Sequence, residues 1–128
     1  MPPSGGTSRT FSPLSSWGPE MGIVPLTDEQ IADRLGRAPL WERKGNTITR
    51  LVAPIRYHAG VALIVHVADI ARLTHHHPDV ELSFDGVRFT ITTHDAGSVL
   101  TEADFTLAAR IDRIVTGHEG ALDVAPPA

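Results

Sequence analysis

The sequence predicts an α+β domain in which helices cover one face of a four-stranded antiparallel sheet. Two pairs of β-prone runs, each joined by a short turn, indicate two hairpins. Segments with helical periodicity precede, separate and follow these pairs. A chain of 128 residues, 41% of them hydrophobic, has room for one modest core. Because neither hairpin is stable alone, one sheet covered by the helices is the economical arrangement.

Residues 1–25 precede this domain and are rich in Gly and Ser, with five of the ten prolines. They lack the apolar run of a secretion signal, and no segment approaches the roughly 20 apolar residues of a membrane span. We therefore expect a disordered lead over 1–25, a folded domain over 26–116 and a flexible tail over 117–128. Met21 stands just before the domain and competes with Met1 as the expected translation start, which the intact mass of the natively expressed protein tests.

A capping box predicts the first helix. The hydroxyl of Thr27 can accept from the amide of Gln30, whose side chain can reach back to the amide of Thr27. Gly36 lacks a Cβ and suits the left-handed residue after a helix, so we expect the helix to end there. The residues that this helix would bury are Leu26, Ile31 and Leu35.

The first predicted hairpin leads into the longest predicted helix. Residues 40–43 and 47–52 are β-prone runs on either side of a Gly-containing connection, and Pro54 then limits strand pairing. Residues 58–73 have an apolar helical face formed by Ala59, Leu63, Val67, Ile70 and Leu73. The other side is apolar as well, through Val61, Ile64 and Val65. We therefore expect this helix to be sandwiched or to lie at a subunit contact.

Strict alternation predicts the second hairpin. The alternating apolar residues are Val80, Leu82 and Phe84 on one strand and Val87, Phe89 and Ile91 on the other. Asp85-Gly86 predicts a type I′ turn, in which both central residues need positive φ. The last helix is expected to begin after Thr101, an N-cap with acidic residues in the following turn, and to end at Gly117. Its apolar stripe consists of Leu107, Ile111 and Ile114.

Four of the seven histidines are expected to lie close together. Residues 75–77 are three consecutive histidines directly after the long helix, and His94 follows the last strand of the second hairpin. Because an antiparallel hairpin places the residues near Val80 beside those near Thr92, it returns His94 to the triplet.

Pro78 constrains the conformation of the triplet. The residue before a proline is disfavoured in the helical region, so we expect His77 and its neighbours to be extended. Side chains alternate along an extended segment. His75 and His77 are then expected on one side and His76 on the other, unless the backbone twists.

Three interpretations of the histidine cluster remain open. Imidazole binds Zn, Ni or Cu, and a carboxylate of Asp69, Asp79 or Asp95 could complete a metal site, although no HExxH motif is present. The histidines could instead cap the helix and hydrogen-bond loop carbonyls. Imidazole, whose ordinary pKa is about 6.5, also exchanges protons near neutral pH, so two of the histidines could act as general acid and base.

Charge and cysteine content narrow the function classes. A net charge of −4, a pI near 5.9 and no Lys/Arg-rich run argue against nucleic acid or anionic lipid as a partner. No cysteine means no thiolate zinc site, disulfide framework or cysteine nucleophile, which is compatible with the cytoplasm, where we expect the protein. Neither a GxSxG elbow nor a Gly-rich phosphate loop is present.

The histidine motifs resemble those of the pterin-4a-carbinolamine dehydratase family. The resemblance is carried by His76-His77-Pro78-Asp79, the alternating hairpin, Thr93-His94-Asp95-Ala96-Gly97 and Leu100-Thr101-Glu102-Ala103-Asp104. It extends over residues 26–115, with the pattern around Trp41 included. It implies an enzyme that dehydrates 4a-hydroxytetrahydropterin to quinonoid dihydropterin without metal or cofactor, in pterin recycling after aromatic amino-acid hydroxylation.

The same resemblance implies a set of site residues and partners. Its catalytic residues are His76, His77 and His94, of which we expect His76 and His94 to be the proton-transfer pair. The residues implied to contact the pterin are His75, Pro78, Thr92, Thr93, Asp95, Trp41 and Asp104. A homodimer or homotetramer is also implied, with an aromatic amino-acid hydroxylase as a pathway partner.

Two residues depart from the family pattern. Arg72 stands where the family usually has an acidic or polar residue, and His75 stands where animal members often have Asp. If Arg72 faces the pocket, its charge disfavours protonated histidines and weakens activity; the alternative is a solvated cation at a helix C-terminus. Because a fold does not specify a function, a non-catalytic interaction module, a dimerisation or assembly cofactor, is the alternative function.

Overall fold

The computed structural model describes residues 24–94 and 97–118. Within these residues the elements follow the predicted order. Helix α1 spans Asp28–Gly36, and strands β1 and β2 span Glu42–Lys44 and Thr47–Val52. Helix α2 spans Tyr57–Thr74, strands β3 and β4 span Asp79–Leu82 and Val87–Ile91, and helix α3 spans Glu102–Gly117. The predicted α+β class is confirmed.

The four strands form one antiparallel sheet in the order β1-β2-β4-β3. The central pair is β2 and β4, in which Ile48 lies opposite Ile91. Both side chains are buried, in one core with Leu63 of α2 and Ile111 of α3. Because side chains alternate along a strand, the helices cover the single face that these residues share, as predicted.

Capping boxes begin α1 and α3. Thr27 Oγ1 accepts from the amide of Gln30 at 3.1 Å, and Gln30 Oε1 accepts from the amide of Thr27 at 2.9 Å, as predicted. α1 ends at Gly36, but Arg37, with φ −100°, is its C-cap, so the expected left-handed glycine is wrong. The amide of Arg37 donates to Arg34 and Leu35 carbonyls instead, which closes the helix without positive φ. At α3 the partners are Thr101 and Asp104.

The loop of the second hairpin differs from the predicted turn. Leu82 pairs with Val87, so four residues connect the strands instead of two. Neither Asp85 nor Gly86 has the positive φ that a type I′ turn requires, so that prediction is wrong. The Asp85 carbonyl accepts from the amide of Ile55 at 2.9 Å. This contact with the segment before α2 favours a longer loop than the local sequence indicates.

The predicted alternation matches burial on β4 but not along β3. Val87, Phe89 and Ile91 are fully buried, whereas Val80 is 40% exposed and Phe84, in the loop, is 88% exposed. In the sheet formed by the described residues, β3 is an edge strand that pairs only with β4. Its apolar side chains are therefore covered only in part.

The solvent-facing side of α2 is apolar, as the sequence predicts. Val61, Val65 and Leu73 are 40%, 59% and 64% exposed. Leu73, which the periodicity placed on the buried face, is exposed because it lies two residues, roughly 200° around the helix, from buried Ala71.

Residues 1–23, 95–96 and 119–128 lie outside the described part of the chain. The predicted disordered lead, the Met21 start, the site residue Asp95 and most of the flexible tail fall there and stay predictions. In the ranges 24–94 and 97–118, no helix is both long and apolar enough to cross a membrane.

Candidate active site

The histidine triplet and His94 line one small cavity. Its volume is about 150 Å³, and it lies where the segment after α2 meets the end of β4. The lining residues are His75, His76, His77, Thr92, Thr93 and His94. The return of the hairpin thus brings His94 to the triplet, although the two are far apart along the chain.

A left-handed residue directs the triplet into the cavity. His75 is the C-cap of α2, with φ 57° and ψ 31°, so the segment is not extended throughout as expected. Histidine is one of the few residues with a β-carbon that is enriched in this conformation. After this twist His76 is half-buried, whereas His75 and His77 are exposed. All three side chains can therefore line one cavity.

His76 is anchored by a buried carboxylate. Its Nε2 lies 2.8 Å from Oδ1 of Asp104, whose side chain is fully buried. Because an ionised carboxylate only accepts hydrogen bonds, Nε2 carries the hydrogen. The other ring nitrogen, Nδ1, is then the one left for proton transfer.

The second oxygen of Asp104 is satisfied by the protein. Oδ2 accepts from Thr93 Oγ1 at 2.8 Å and from the amide of Thr101 at 2.8 Å. The two threonine hydroxyls also lie 2.8 Å apart. Asp104 is in the first turn of α3, where the helix dipole stabilises a negative charge. This network makes a buried carboxylate tenable and fixes the orientation of the His76 ring.

The loop that carries His94 is closed by backbone hydrogen bonds. The amide of Thr93 donates to the carbonyl of Val99 at 3.0 Å, and the amide of Gly97 donates to that of His94 at 3.0 Å. Thr92 is buried, and its hydroxyl donates to the carbonyl of Asn46 at 2.7 Å. His94 itself is exposed at the rim. These hydrogen bonds hold the backbone on either side of a solvent-accessible imidazole.

Three of the predicted site residues in the described ranges, Trp41, Pro78 and Asp104, do not line the cavity. Trp41 is 4% exposed, and its indole donates to Asp112 at 2.9 Å. Asp112 lies eight residues, about 12 Å, along α3 from Asp104. Pro78 follows the triplet and is half-buried without lining the cavity. Asp104 lies behind His76, so it reaches the cavity through that ring.

Arg72 also lies away from the cavity. Its side chain is 69% exposed and lies 3.6 Å from Asp69, one helical turn earlier on α2. Because it is solvated and does not line the cavity, it fits the helix-end cation of the two alternatives.

Thr101 is the functional contact that sequence reasoning missed. The sequence predicts it only as a helix cap, yet its amide contacts the same Asp104 oxygen as the Thr93 hydroxyl. A signal existed, because Thr101 and Asp104 have capping-box spacing. The pairing of that carboxylate with His76, 28 positions earlier, has no such local signal.

The charged residues of the described ranges do not form an evident metal centre. No three of their His, Asp and Glu side chains are placed to hold one ion together. The chemistry that this geometry supports directly is proton transfer by imidazoles, one of which is oriented by a carboxylate.

Comparison with known proteins shows which family the chain matches. Residues 24–114 match the family model described as pterin 4 alpha carbinolamine dehydratase. A Chloroflexus aurantiacus protein named "Putative pterin-4-alpha-carbinolamine dehydratase" is 42% identical over 90 residues, covering 70% of this chain and 96% of that protein. A Streptomyces avermitilis protein of the same name is 37% identical over 98 residues, covering 77% and 97%.

A solved structure supports the fold. The chain is similar to the transcriptional coactivator/pterin dehydratase from Brucella melitensis, with a TM-score of 0.66. The identity is 22%, and the match covers 71% of this chain and 98% of that chain. At this identity the likeness shows a common fold.

Proposed function

The chain belongs to the pterin-4a-carbinolamine dehydratase family, and we propose that it dehydrates 4a-hydroxytetrahydropterin to the quinonoid dihydropterin. One observation carries the proposal for this chain. His76, anchored by buried Asp104, shares a cavity with His77 and His94. The cavity thus offers several imidazoles, and the ring of His76 is oriented by a carboxylate behind it.

The reaction needs one acid and one base. The bond between C4a and its hydroxyl oxygen breaks, and that oxygen takes a proton and leaves as water. The proton on N5 goes to a base, and the electron pair of the N5–H bond forms the C4a=N5 double bond. Two imidazoles near neutral pH can perform both transfers without net consumption of a proton.

The contacts of His76 make it our choice for the base. Its Nδ1 is the free nitrogen, and the Asp104 carboxylate stabilises the positive charge that develops when Nδ1 takes a proton. His94 is then the proposed acid toward the C4a hydroxyl, because its exposed ring can regain a proton from water. His77 is the proposed second acid/base or binding group.

The pterin is proposed to lie against the remaining wall of the cavity. His75, Thr92 and Thr93 line that wall. Asp95 and Pro78 adjoin it in sequence and keep the binding role that the resemblance implies. We do not include Trp41, because its indole is buried against Asp112. Asp104 acts through His76 as a positioning residue.

The test is dehydration kinetics with chemically generated 4a-hydroxytetrahydropterin. The wild type should accelerate the reaction above buffer, and His76→Ala and His94→Ala should each lose about 10²- to 10⁴-fold in rate. His58→Ala, an exposed histidine in the first turn of α2, is the matched control and should keep the wild-type rate. A wild-type rate equal to buffer would reject the enzyme and favour the non-catalytic interaction module.

Self-association is the second part of the proposal. Val61, Val65 and Leu73 form an exposed apolar side of α2, which favours a homodimer or homotetramer. Sedimentation velocity should show an oligomer that Val65→Glu dissociates, with Arg56→Glu as an exposed control. A monomeric wild type would contradict it.

The cellular setting is proposed from the substrate chemistry. An aromatic amino-acid hydroxylase would supply the carbinolamine, and we place both proteins in the cytoplasm. Deletion of the gene should abolish pterin recycling in cells that depend on such a hydroxylase. In wild-type cells the protein should be found in the soluble fraction after lysis. Normal recycling in a deletion strain would argue against this setting.

A further inference from the structure

A second cavity lies between α2 and the C-terminal half of α3. Its volume is about 310 Å³, and its wall includes His66, Ile70, Arg110, Arg113, Ile114 and His118. None of these residues lines the cavity around His76. His66 lies eight residues, about 12 Å in helical rise, before the last residue of α2, and His76 lies beyond that end. The two cavities are separate sites.

Two imidazoles face each other at this cavity. His66 Nδ1 lies 3.2 Å from His118 Nε2, and the ring centroids are 5.4 Å apart at an interplanar angle of 54°. At this distance one nitrogen donates a hydrogen and the other accepts it. The accepting ring then carries its hydrogen on its other nitrogen, which can donate to an anion in the cavity.

Two guanidinium groups stand beside this pair. Arg110 and Arg113 line the cavity, and neither pairs with a carboxylate in the described part of the chain. Arg34, Arg43 and Arg50, by contrast, each lie within 4 Å of an Asp or Glu oxygen. The neighbouring acid on α2, Asp69, pairs with Arg72. The cavity is therefore locally cationic on a chain whose net charge is −4.

The floor of the cavity is apolar. Ile70 of α2 and Ile114 of α3 are half-buried and line it between the basic groups. Inorganic anions would leave this apolar surface in contact with water. An anion that carries an apolar body would cover it while its charged end meets the guanidinium groups.

We propose that this cavity binds a small organic carboxylate with an aromatic or branched apolar body. The carboxylate lies between the guanidinium groups of Arg110 and Arg113 and the imidazole pair, and the apolar body lies on Ile70 and Ile114. This site is independent of the dehydratase chemistry, since it shares no residue with the histidine cavity.

The experiment is a titration of the full chain with benzoate, acetate and benzamide, followed through the histidine ring resonances. Benzoate should shift His66 and His118 saturably and leave His58 unmoved. Benzamide, which lacks the charge, and acetate, which lacks the apolar body, should each bind at least about tenfold more weakly. Equal binding of the three compounds, or no saturable shift by benzoate, would overturn the proposal.

Variants assign the binding to this cavity. Arg110→Gln combined with Arg113→Gln should remove benzoate binding, and both positions are exposed, so the fold should be kept. Arg72→Gln removes an exposed arginine elsewhere on α2 and should bind like the wild type. Thermal melting checks that all three proteins are folded. Benzoate binding unchanged in the double variant would overturn the assignment.

Discussion

Asp104 and Asp112 lie eight residues apart on α3 and differ in what they do for the protein. Asp104 is fully buried and contacts His76, Thr93 and Thr101 around the candidate active site. Asp112, about two turns later, is 30% exposed and pairs with Arg50. One helix therefore orients the His76 imidazole through Asp104 and is tied to the sheet through Asp112.

Position along the helix explains the different partners. Asp104 lies in the first turn, where the helix dipole favours a negative charge, so neutral hydroxyls and an imidazole suffice. Asp112 lies in the second half of α3, where that support is absent, and it meets a guanidinium of Arg50 and the indole of Trp41. Arg50 Nε is buried without a partner in the described residues, so this pair is imperfectly satisfied. We therefore expect substitution of Asp104 to change both the dehydration rate and the stability, and substitution of Asp112 to change the stability alone.

Replacement of Asp104 should have the largest effect. Asp104→Ala leaves His76 and the Thr101 amide without their acceptor and should lower the free energy of unfolding by about 3 to 5 kcal/mol. Asp104→Asn keeps the shape but removes the charge, and should lower the dehydration rate about a hundredfold while the protein stays folded. Denaturant unfolding and the carbinolamine kinetics measure the two effects. A wild-type rate in Asp104→Asn would show that the carboxylate only supports the fold.

Replacement of Asp112 should affect stability and spare the rate. Asp112→Ala leaves Arg50, whose side chain is 12% exposed, without its counter-ion. We expect a loss of about 2 kcal/mol in unfolding free energy, less than for a fully buried pair because Asp112 is partly solvated. The dehydration rate should stay within about twofold of the wild type.

The matched control removes both charges of this pair. Arg50→Met with Asp112→Leu should recover most of the stability that Asp112→Ala loses, because no uncompensated charge is left. If Asp112→Ala instead slowed dehydration as much as Asp104→Asn, the separation between the two carboxylates would be lost.

The cap of α3 should have a smaller effect. Thr101→Ala removes a hydroxyl that caps the helix and contacts Thr93, and should cost about 1 kcal/mol. The backbone amide of residue 101 still donates to Asp104, so the rate should fall by only a few fold. Thr27→Ala, at the cap of α1, is the control with a similar stability loss and an unchanged rate. A hundredfold slower Thr101→Ala would assign the hydroxyl a direct part in orienting His76.

The smallest effect is expected at an exposed carboxylate. A hydrogen bond and the charge of Arg37 hold the pKa of Asp33 below its ordinary value of 3.8. Its stabilising contribution is present above that ordinary pKa and is lost as the pH falls through the lower value of the folded state. The melting temperature of Asp33→Asn should therefore be slightly below that of the wild type at pH 6, and the difference should vanish in acid. A difference that persists at the lowest pH would exclude the ion pair as its cause.

Much of the fold could be predicted because its signals are local. The capping box at Thr27, the helical periodicity before the histidines and the alternation on β4 each depend on a few neighbouring residues. Hydrogen bonds over three or four residues and side-chain periodicity act within one element, so they can be recognised in a sequence. The proximity of His94 to the triplet needed one further step, the return of an antiparallel hairpin.

Contacts between distant segments decided the rest. The amide of Ile55 donates to the carbonyl of Asp85 in a loop that is longer than the predicted turn. The left-handed backbone at His75 lets all three histidines of the triplet line one cavity. The family resemblance placed Trp41 in one pocket with Asp104, but the indole of Trp41 donates to Asp112, about two turns of α3 from Asp104. The residue types and their order specified the elements and supplied the imidazoles. Which nitrogen faces the cavity depends on a buried carboxylate 28 positions away, because only packing brings those two groups within hydrogen-bond distance.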